Sequence, residues 1–289
     1  MESKYLIINA DDFGMCHSYN EAVFHLLEEG KITSSTLMPV TPGRDEAAEW
    51  CVRKKIKCVG LHTTFTSEWE SFRWSSLTRL PSLEDENGYL YLDVAGFLSH
   101  ARREDVAKEM EAQFQWFEKS GIFFSHVDNH MGSIYPSAVY DIPDYLPLVF
   151  DCCDRYGKLP FRMFRGSFWD EGTFQSSDYA RADIEDADRR GLALVDTLYS
   201  YPFRSSPETT YEMMREELCQ LMHQLNPGFN EIYFHPSIDT EEVRRITPTW
   251  QRRIWDFKVL MDDEFQYAIR DAGVKLINYR ELQKMRGLA

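Results

Sequence analysis

Short apolar runs of strand length alternate with amphipathic stretches of helix length along most of this chain, and that alternation restricts the fold more than any other feature. The strand-like runs fall at 4–10, 32–38, 57–63, 122–128, 160–164, 230–235 and 274–278. Between them, residues 18–29 place Ala22, Val23, Leu26 and Leu27 on one helical face. Residues 103–119 do the same with Val106, Met110, Phe114 and Phe117, and 209–224 and 250–271 behave similarly. Gly30, Gly121 and Gly273 each close a helical stretch and lead into an apolar run. Strand, helix and strand in this order build βαβ units around a parallel sheet.

The rhythm breaks twice. Residues 66–100 carry Trp69, Trp74, Pro81 and the turn signal Asp85-Glu86-Asn87-Gly88, and residues 165–207 are rich in Ser, Asp and aromatic residues. Connections of that length are expected to be functional loops or lids. No repeat, low-complexity tract or linker interrupts the chain, and 289 residues suit one large barrel-like unit, so 1–289 is expected to be a single domain.

Composition narrows the partners. A net charge of -15 argues against nucleic acid and against an anionic membrane surface. No apolar run is long enough to cross a bilayer. Met1-Glu2-Ser3-Lys4 leads directly into the first strand with no signal peptide, so a cytoplasmic protein is expected. Cys16, Cys51, Cys58, Cys152, Cys153 and Cys219 form no CxxC pair and read as reduced thiols packed in the core.

The chemistry collects at strand ends. The first run, Tyr5-Leu6-Ile7-Ile8-Asn9-Ala10, closes on Asp11-Asp12. Adjacent carboxylates repel, so keeping both there calls for a cation or a shared proton; a polar turn capping the next helix is the bland alternative. His62 ends the run after Lys57, His126 lies in Ser125-His126-Val127-Asp128-Asn129-His130, and His235 ends Glu231-Ile232-Tyr233-Phe234-His235 ahead of Pro236. If the strands are parallel, all four ends share one face. His17 is a further candidate near a helix start, whereas His25, His100 and His223 fall in helical patterns and read as surface residues.

An Asp with two His is a good ligand set for a divalent metal, leaving positions open for water and substrate. Metal-bound water is acidified and can attack a carbonyl near neutral pH; a second carboxylate could take its proton and a further His could protonate the leaving group. Asp11 or Asp12, His62, His126 and His235 supply these parts, with Asp128 able to orient a ligand His from behind. His126, Asp128 and His130 would share one strand face, which could equally form only a polar edge; His130 could be a third metal His or a substrate contact.

These residues resemble the YdjC-like carbohydrate deacetylases, the family that contains the chitooligosaccharide deacetylases. The matching stretches are Asn9-Ala10-Asp11-Asp12-Phe13-Gly14, Gly30-Lys31-Ile32-Thr33-Ser34-Ser35-Thr36, Gly60-Leu61-His62-Thr63-Thr64-Phe65-Thr66, His126-Val127-Asp128-Asn129-His130, Phe234-His235-Pro236 and the run from Gly273 to Leu282. The resemblance implies a distorted (β/α) barrel with parallel strands, its active site at the carboxyl ends of those strands. It implies a divalent metal, magnesium or zinc, held by Asp12, His62 and His126. It makes Asp11 the base and His235 the acid in removing the N-acetyl group from an acetylated amino sugar, with Asp128, His130 and Arg162 contacting substrate or supporting the ligands. Gly132 stands where many members of that family carry a further His. Trp69 and Trp74 offer either a stacking wall for a sugar ring or packing for their loop. The resemblance also allows a homodimer.

Two other readings compete. A metal-independent glycoside hydrolase could use Asp11 and Asp128 as its carboxylate pair, although three strand-end His are superfluous there. A carbohydrate or metal sensor without catalysis would not need an acid, a base and an open ligand set together.

Overall fold

The computed structural model of the protein describes residues 3–135, 145–170, 173–176, 180–201 and 208–288. Strands β1 (Lys4–Phe13), β2 (Ser34–Leu37), β3 (Val59–Thr63), β4 (Val127–Asn129), β5 (Phe164–Asp170), β6 (Thr173–Ser176), β7 (Val195–Ser200) and β8 (Gly228–Phe234) form one sheet. Their order in space is β4-β3-β2-β1-β8-β7-β5-β6, and β9 (Lys275–Leu276) pairs with the start of β1. Every neighbouring pair from β4 through β5 is parallel, and only β6 runs antiparallel, against β5.

The two ends of the parallel run meet. Val127 N–H donates to Pro160 O at 2.9 Å and Arg162 N–H donates to Val127 O at 2.9 Å, tying β4 to the approach of β5. Phe161 N–H donates in turn to Ala193 O at 3.1 Å, just ahead of β7. The result is a distorted barrel of seven parallel strands with helices outside: the parallel sheet that the alternation of runs implies, closed as the family resemblance implies.

Strand periodicity then sorts the residues. On β1, Leu6, Ile8 and Ala10 pack outward into the main core with helices α1 (His17–Glu28) and α2 (Arg44–Lys54). Ile7 points the other way, into a small apolar floor with Ala193, Val195, Ile277, Tyr279 and Leu282. Asn9 and Asp11 share that inner face one and two steps higher, so the barrel interior turns polar toward the carboxyl ends. At the top of β1 the pairing register shifts between Ala10 and Phe13, and Asp12 takes φ 63. An extra residue in left-handed backbone is a β-bulge, and it lets two consecutive carboxylates line one cavity instead of opposite faces of the strand.

The sequence reading departs from the structure in instructive places. Residues 195–200 are a central barrel strand inside the stretch expected to be one long connection; within that stretch, 171–172, 177–179 and 202–207 lie outside the described residues. Mixed Val-Asp-Thr-Leu-Tyr-Ser gives little apolar periodicity, yet the strand is buried apart from Asp196. The stretch 250–271 is two helices, α9 (Trp250–Met261) and α10 (Asp263–Asp271), divided at Asp262, which takes extended backbone and accepts from Glu264 N–H at 2.9 Å. Residues 66–100 are not a loose lid. Buried Glu109, from the helix Arg103–Lys119, accepts from Leu77 and Thr78 N–H at 3.0 and 2.9 Å and pins that segment to the barrel.

Candidate metal centre and active site

At the carboxyl ends of β1, β3 and β4, Asp12, His62 and His130 bring their ligand atoms together. Asp12 Oδ1 lies 3.5 Å from His62 Nε2 and 3.2 Å from His130 Nδ1, and all three residues are buried. That oxygen makes no hydrogen bond of proper geometry despite its burial. A buried, unsatisfied carboxylate oxygen aimed at two imidazole nitrogens suits a divalent cation, and two nitrogens with one oxygen are an ordinary donor set for one.

Each ligand is fixed from behind. His62 Nδ1 lies 2.5 Å from Asp128 Oδ1, and His130 Nε2 lies 2.9 Å from Glu68 Oε2. Carboxylates only accept, so each imidazole donates its outer N–H and points its other nitrogen at Asp12, where it would ligate a cation once that cation displaces its proton. Arg253 Nη1 donates to Asp12 Oδ2 at 2.9 Å. Burial alone would discharge the two imidazoles. For His62, the Asp128 charge and the close approach of Asp12 and Asp128 outweigh burial and hold the ring up at about 10. For His130, Glu68 and Asp12 do the same and hold it at about 9.

Asp11 belongs to a different arrangement. Arg162 grips it with both fork nitrogens, Nη1 to Oδ2 and Nη2 to Oδ1, each at 2.7 Å, and Asn9 Nδ2 donates to Oδ1 at 2.8 Å. Burial raises this carboxyl, but Arg162 more than reverses that and brings it down to about 2. Arg162 also pairs with Asp128 Oδ2 at 2.8 Å and, through Nε, with Glu231 Oε1 at 2.8 Å. Asp128 can also be grouped with Asp11 and His62 as a cation site, but the Arg162 guanidinium already stands between the two acids.

His126 does not join Asp12. Its ring stacks on Tyr279 at 3.9 Å and 13°, with Nδ1 2.6 Å from Ser125 Oγ and Nε2 3.3 Å from Ser34 Oγ. It packs against Gly60, where a Cβ would sit 2.6 Å from its ring. Burial holds the ring well below the usual histidine range, as a neutral interior residue. The reason is local: β4 covers only Val127–Asn129, so His126 precedes the strand and points into the barrel, whereas His130 follows it at the rim. The structure therefore brings His130, and not His126, to the Asp12 and His62 ligand atoms.

The other expected residues sort cleanly. His235 lines the same cavity as Asp11, Asp12, His62 and His130, and burial lowers its ring's pKa against the pull of both aspartates. Arg162 lines the cavity from a buried position. His17 is outside the site, paired with Glu46 at 2.7 Å on the surface. Trp74 is buried and donates Nε1–H to Thr66 O at 2.8 Å, so it packs its loop; Trp69 faces the cavity. His25, His100 and His223 are exposed.

Sequence reasoning missed Glu68, Arg253, Glu231 and Tyr279. Only Arg253 left a usable sign: Arg252, Arg253 and Asp256 share the buried face of α9 with Val259 and Leu260, and charges at core spacing require buried partners. The cavity holds about 610 Å³.

A parallel barrel with an acid and imidazole cluster over its carboxyl ends is a (β/α)-barrel protein built around a candidate divalent-metal centre. Residues 5–271 match the family model described as YdjC-like protein, and the chain belongs to that family. It is 26% identical to a carbohydrate deacetylase of Geobacillus stearothermophilus over 283 residues, covering 98% of this chain and 99% of that one. A chitooligosaccharide deacetylase of Yersinia pestis (strain Pestoides F) is 32% identical over 167 residues, 56% of this chain and 60% of that one. A crystal structure of an Enterococcus faecalis V583 protein, provisionally named for cellobiose-phosphate cleavage, superposes with a TM-score of 0.76 at 24% identity, covering 97% and 99% of the two chains. Among the described residues no helix is long and apolar enough to cross a membrane.

Proposed function

We propose that this protein is a divalent-cation-dependent deacetylase that hydrolyses the N-acetyl group of an amino sugar or short oligosaccharide and releases acetate. The observation that carries the reading is the convergence of Asp12, His62 and His130 beside an Arg-clamped Asp11 and a cavity-facing His235. Relatives named as carbohydrate and chitooligosaccharide deacetylases support the substrate class.

In this reading Asp12, His62 and His130 hold the cation. Two imidazoles among three ligands favour zinc or a similar transition ion over magnesium, which prefers oxygen and water. Once bound, the cation polarises the amide carbonyl and acidifies the attacking water. Asp11 stays ionised under its Arg162 clamp and takes the proton as the water oxygen bonds to the acetyl carbon. The bond from that carbon to the sugar nitrogen then breaks, and the proton Asp11 took from the water passes by way of the cavity-facing His235 to the departing amine, leaving both residues as they began. Asp128 and Glu68 keep the two imidazoles turned toward Asp12.

A carboxylate-pair glycosidase fits less well. Asp11 and Asp128 share one guanidinium, and Asp128 is wholly buried behind His62, so neither is placed across an open sugar site from the other.

The test is acetate release from a panel of N-acetylated mono- and oligosaccharides, using chelator-stripped protein with zinc, cobalt, manganese or magnesium restored. Zinc or cobalt should restore more acetate release than magnesium. Acetate release that is indifferent to chelation, or its absence with every ion, would overturn the reading.

A further inference from the structure

Below the site, the barrel interior continues the Asp11–Arg162 pair into Glu231 and Tyr279, which the chemistry above does not use. Arg162 spends Nη1 on Asp11 and Asp128, Nη2 on Asp11 and Nε on Glu231, whose Oε1 accepts at 2.8 Å. The other Glu231 oxygen accepts from the Tyr279 hydroxyl. The Tyr279 ring lies flat on His126, and Tyr279 opens helix α11 (Tyr279–Met285), on the floor of the barrel. All four residues of the chain Tyr279, Glu231, Arg162 and Asp11 are at least nine-tenths buried.

We infer that Glu231 and Tyr279 are positioning residues that set the plane of the Arg162 guanidinium and, through it, the aim of Asp11. The case is geometric. Asp11 and Asp128 hold the guanidinium only by its terminal nitrogens, whereas the bond at Nε, beside the side-chain stem, fixes its near edge as well and so its plane. Tyr233 beneath the guanidinium, 5.0 Å from its carbon, closes off one face. Glu231 is also an expensive choice for filling. Asp11 and Asp128 already face the same cation, so a third buried carboxylate adds repulsion that a neutral side chain would avoid. A bond to Nε combined with a bond to the floor gives that carboxylate a task.

The inference rests on Asp11 being the base, and the experiment separates the two ideas. In nitrogen-15-labelled protein, the Arg162 side-chain N–H signals should be resolved and slow to exchange, because rotation is blocked. Glu231→Ala and Tyr279→Phe should average or broaden them. In turnover, both variants should lower kcat by about 10–100-fold, with KM and cation affinity within about twofold of the parent. Glu231→Gln, which keeps an acceptor for Nε–H, should recover most of the kcat lost in Glu231→Ala. Signals that stay resolved in both variants, or a loss confined to thermal stability with kcat intact, would overturn the inference. An active Asp11→Asn protein would instead overturn the role of Asp11 while the spectra still judge the brace.

Discussion

Arg253 holds one oxygen of Asp12, at 2.9 Å from Oδ2, and leaves Oδ1 to His62 and His130. The guanidinium comes from α9, far along the chain, and is seated between the rings of Tyr19 and Trp69, 5.1 and 5.3 Å away. The arrangement restricts Asp12 to one ligating oxygen and balances part of its charge.

Arg253→Met tests that balance. It keeps the bulk but leaves Asp12 with only the imidazoles for compensation, and breaking a buried ion pair from one side typically costs about 3–5 kcal/mol. The chelator-treated variant should melt below the chelator-treated parent. Added zinc should then raise its Tm by more than it raises the parent's, because the cation replaces lost positive charge. An equal or smaller zinc-induced shift would show that Arg253 does not share the load on Asp12.

The two histidines flanking β4 make opposite predictions. His130→Asn removes a ligand and should weaken zinc binding by more than the roughly 10–100-fold that supporting residues cost. His126→Asn should leave zinc affinity within about threefold and lower only folding stability, since the ring serves as packing between Gly60 and Tyr279. Isothermal titration of both proteins decides it, and the reverse pattern would return His126 to the ligand set.

That exchange shows what the sequence could and could not convey. That β1, β3 and β8 end in polar side chains lining one cavity is legible, because apolar runs ending in Asp11-Asp12, His62 and His235 need only periodicity and a turn signal to be read. Which His of His126-x-Asp128-x-His130 reaches the rim is not, because it depends on where a three-residue strand begins. Alternation alone cannot place such a boundary. The barrel strand Val195–Ser200 was illegible for a related reason: Asp196 and Thr197 interrupt its apolar pattern, although Thr197 is buried. Glu231 lies within an apolar run, and its role exists only once Arg162 arrives from another part of the chain.

Gly60 is predicted to be irreplaceable on steric grounds. It sits in β3 beneath His126, and an added Cβ would lie 2.6 Å from the ring and from the His126 carbonyl oxygen. Backbone cannot yield as a flexible side-chain tip does. Gly60→Ala should therefore cost about 1–3 kcal/mol as overpacking, read as a lower denaturant midpoint at unchanged slope. An unchanged midpoint would mean that β3 and His126 are less tightly apposed than the structure has them.

Glu231 predicts how stability depends on pH. Burial is the main cause that lifts its carboxyl from 4.5 to about 7; Arg162 and the Tyr279 hydroxyl oppose the shift, and the charges of Asp11 and Asp128 add to it. Between those two values the folded protein keeps a proton that the unfolded chain has released. Folding therefore loses stability as pH rises through that window, which is the reverse of the usual salt-bridged carboxylate. Glu231→Gln cannot ionise, so the parent-minus-variant difference in unfolding free energy should fall with rising pH from 4.5 to about 7 and then level off. The fall should be about 3 kcal/mol. A difference that stays flat, or that rises, would mean Glu231 is ionised throughout and Arg162 compensates all three carboxylates.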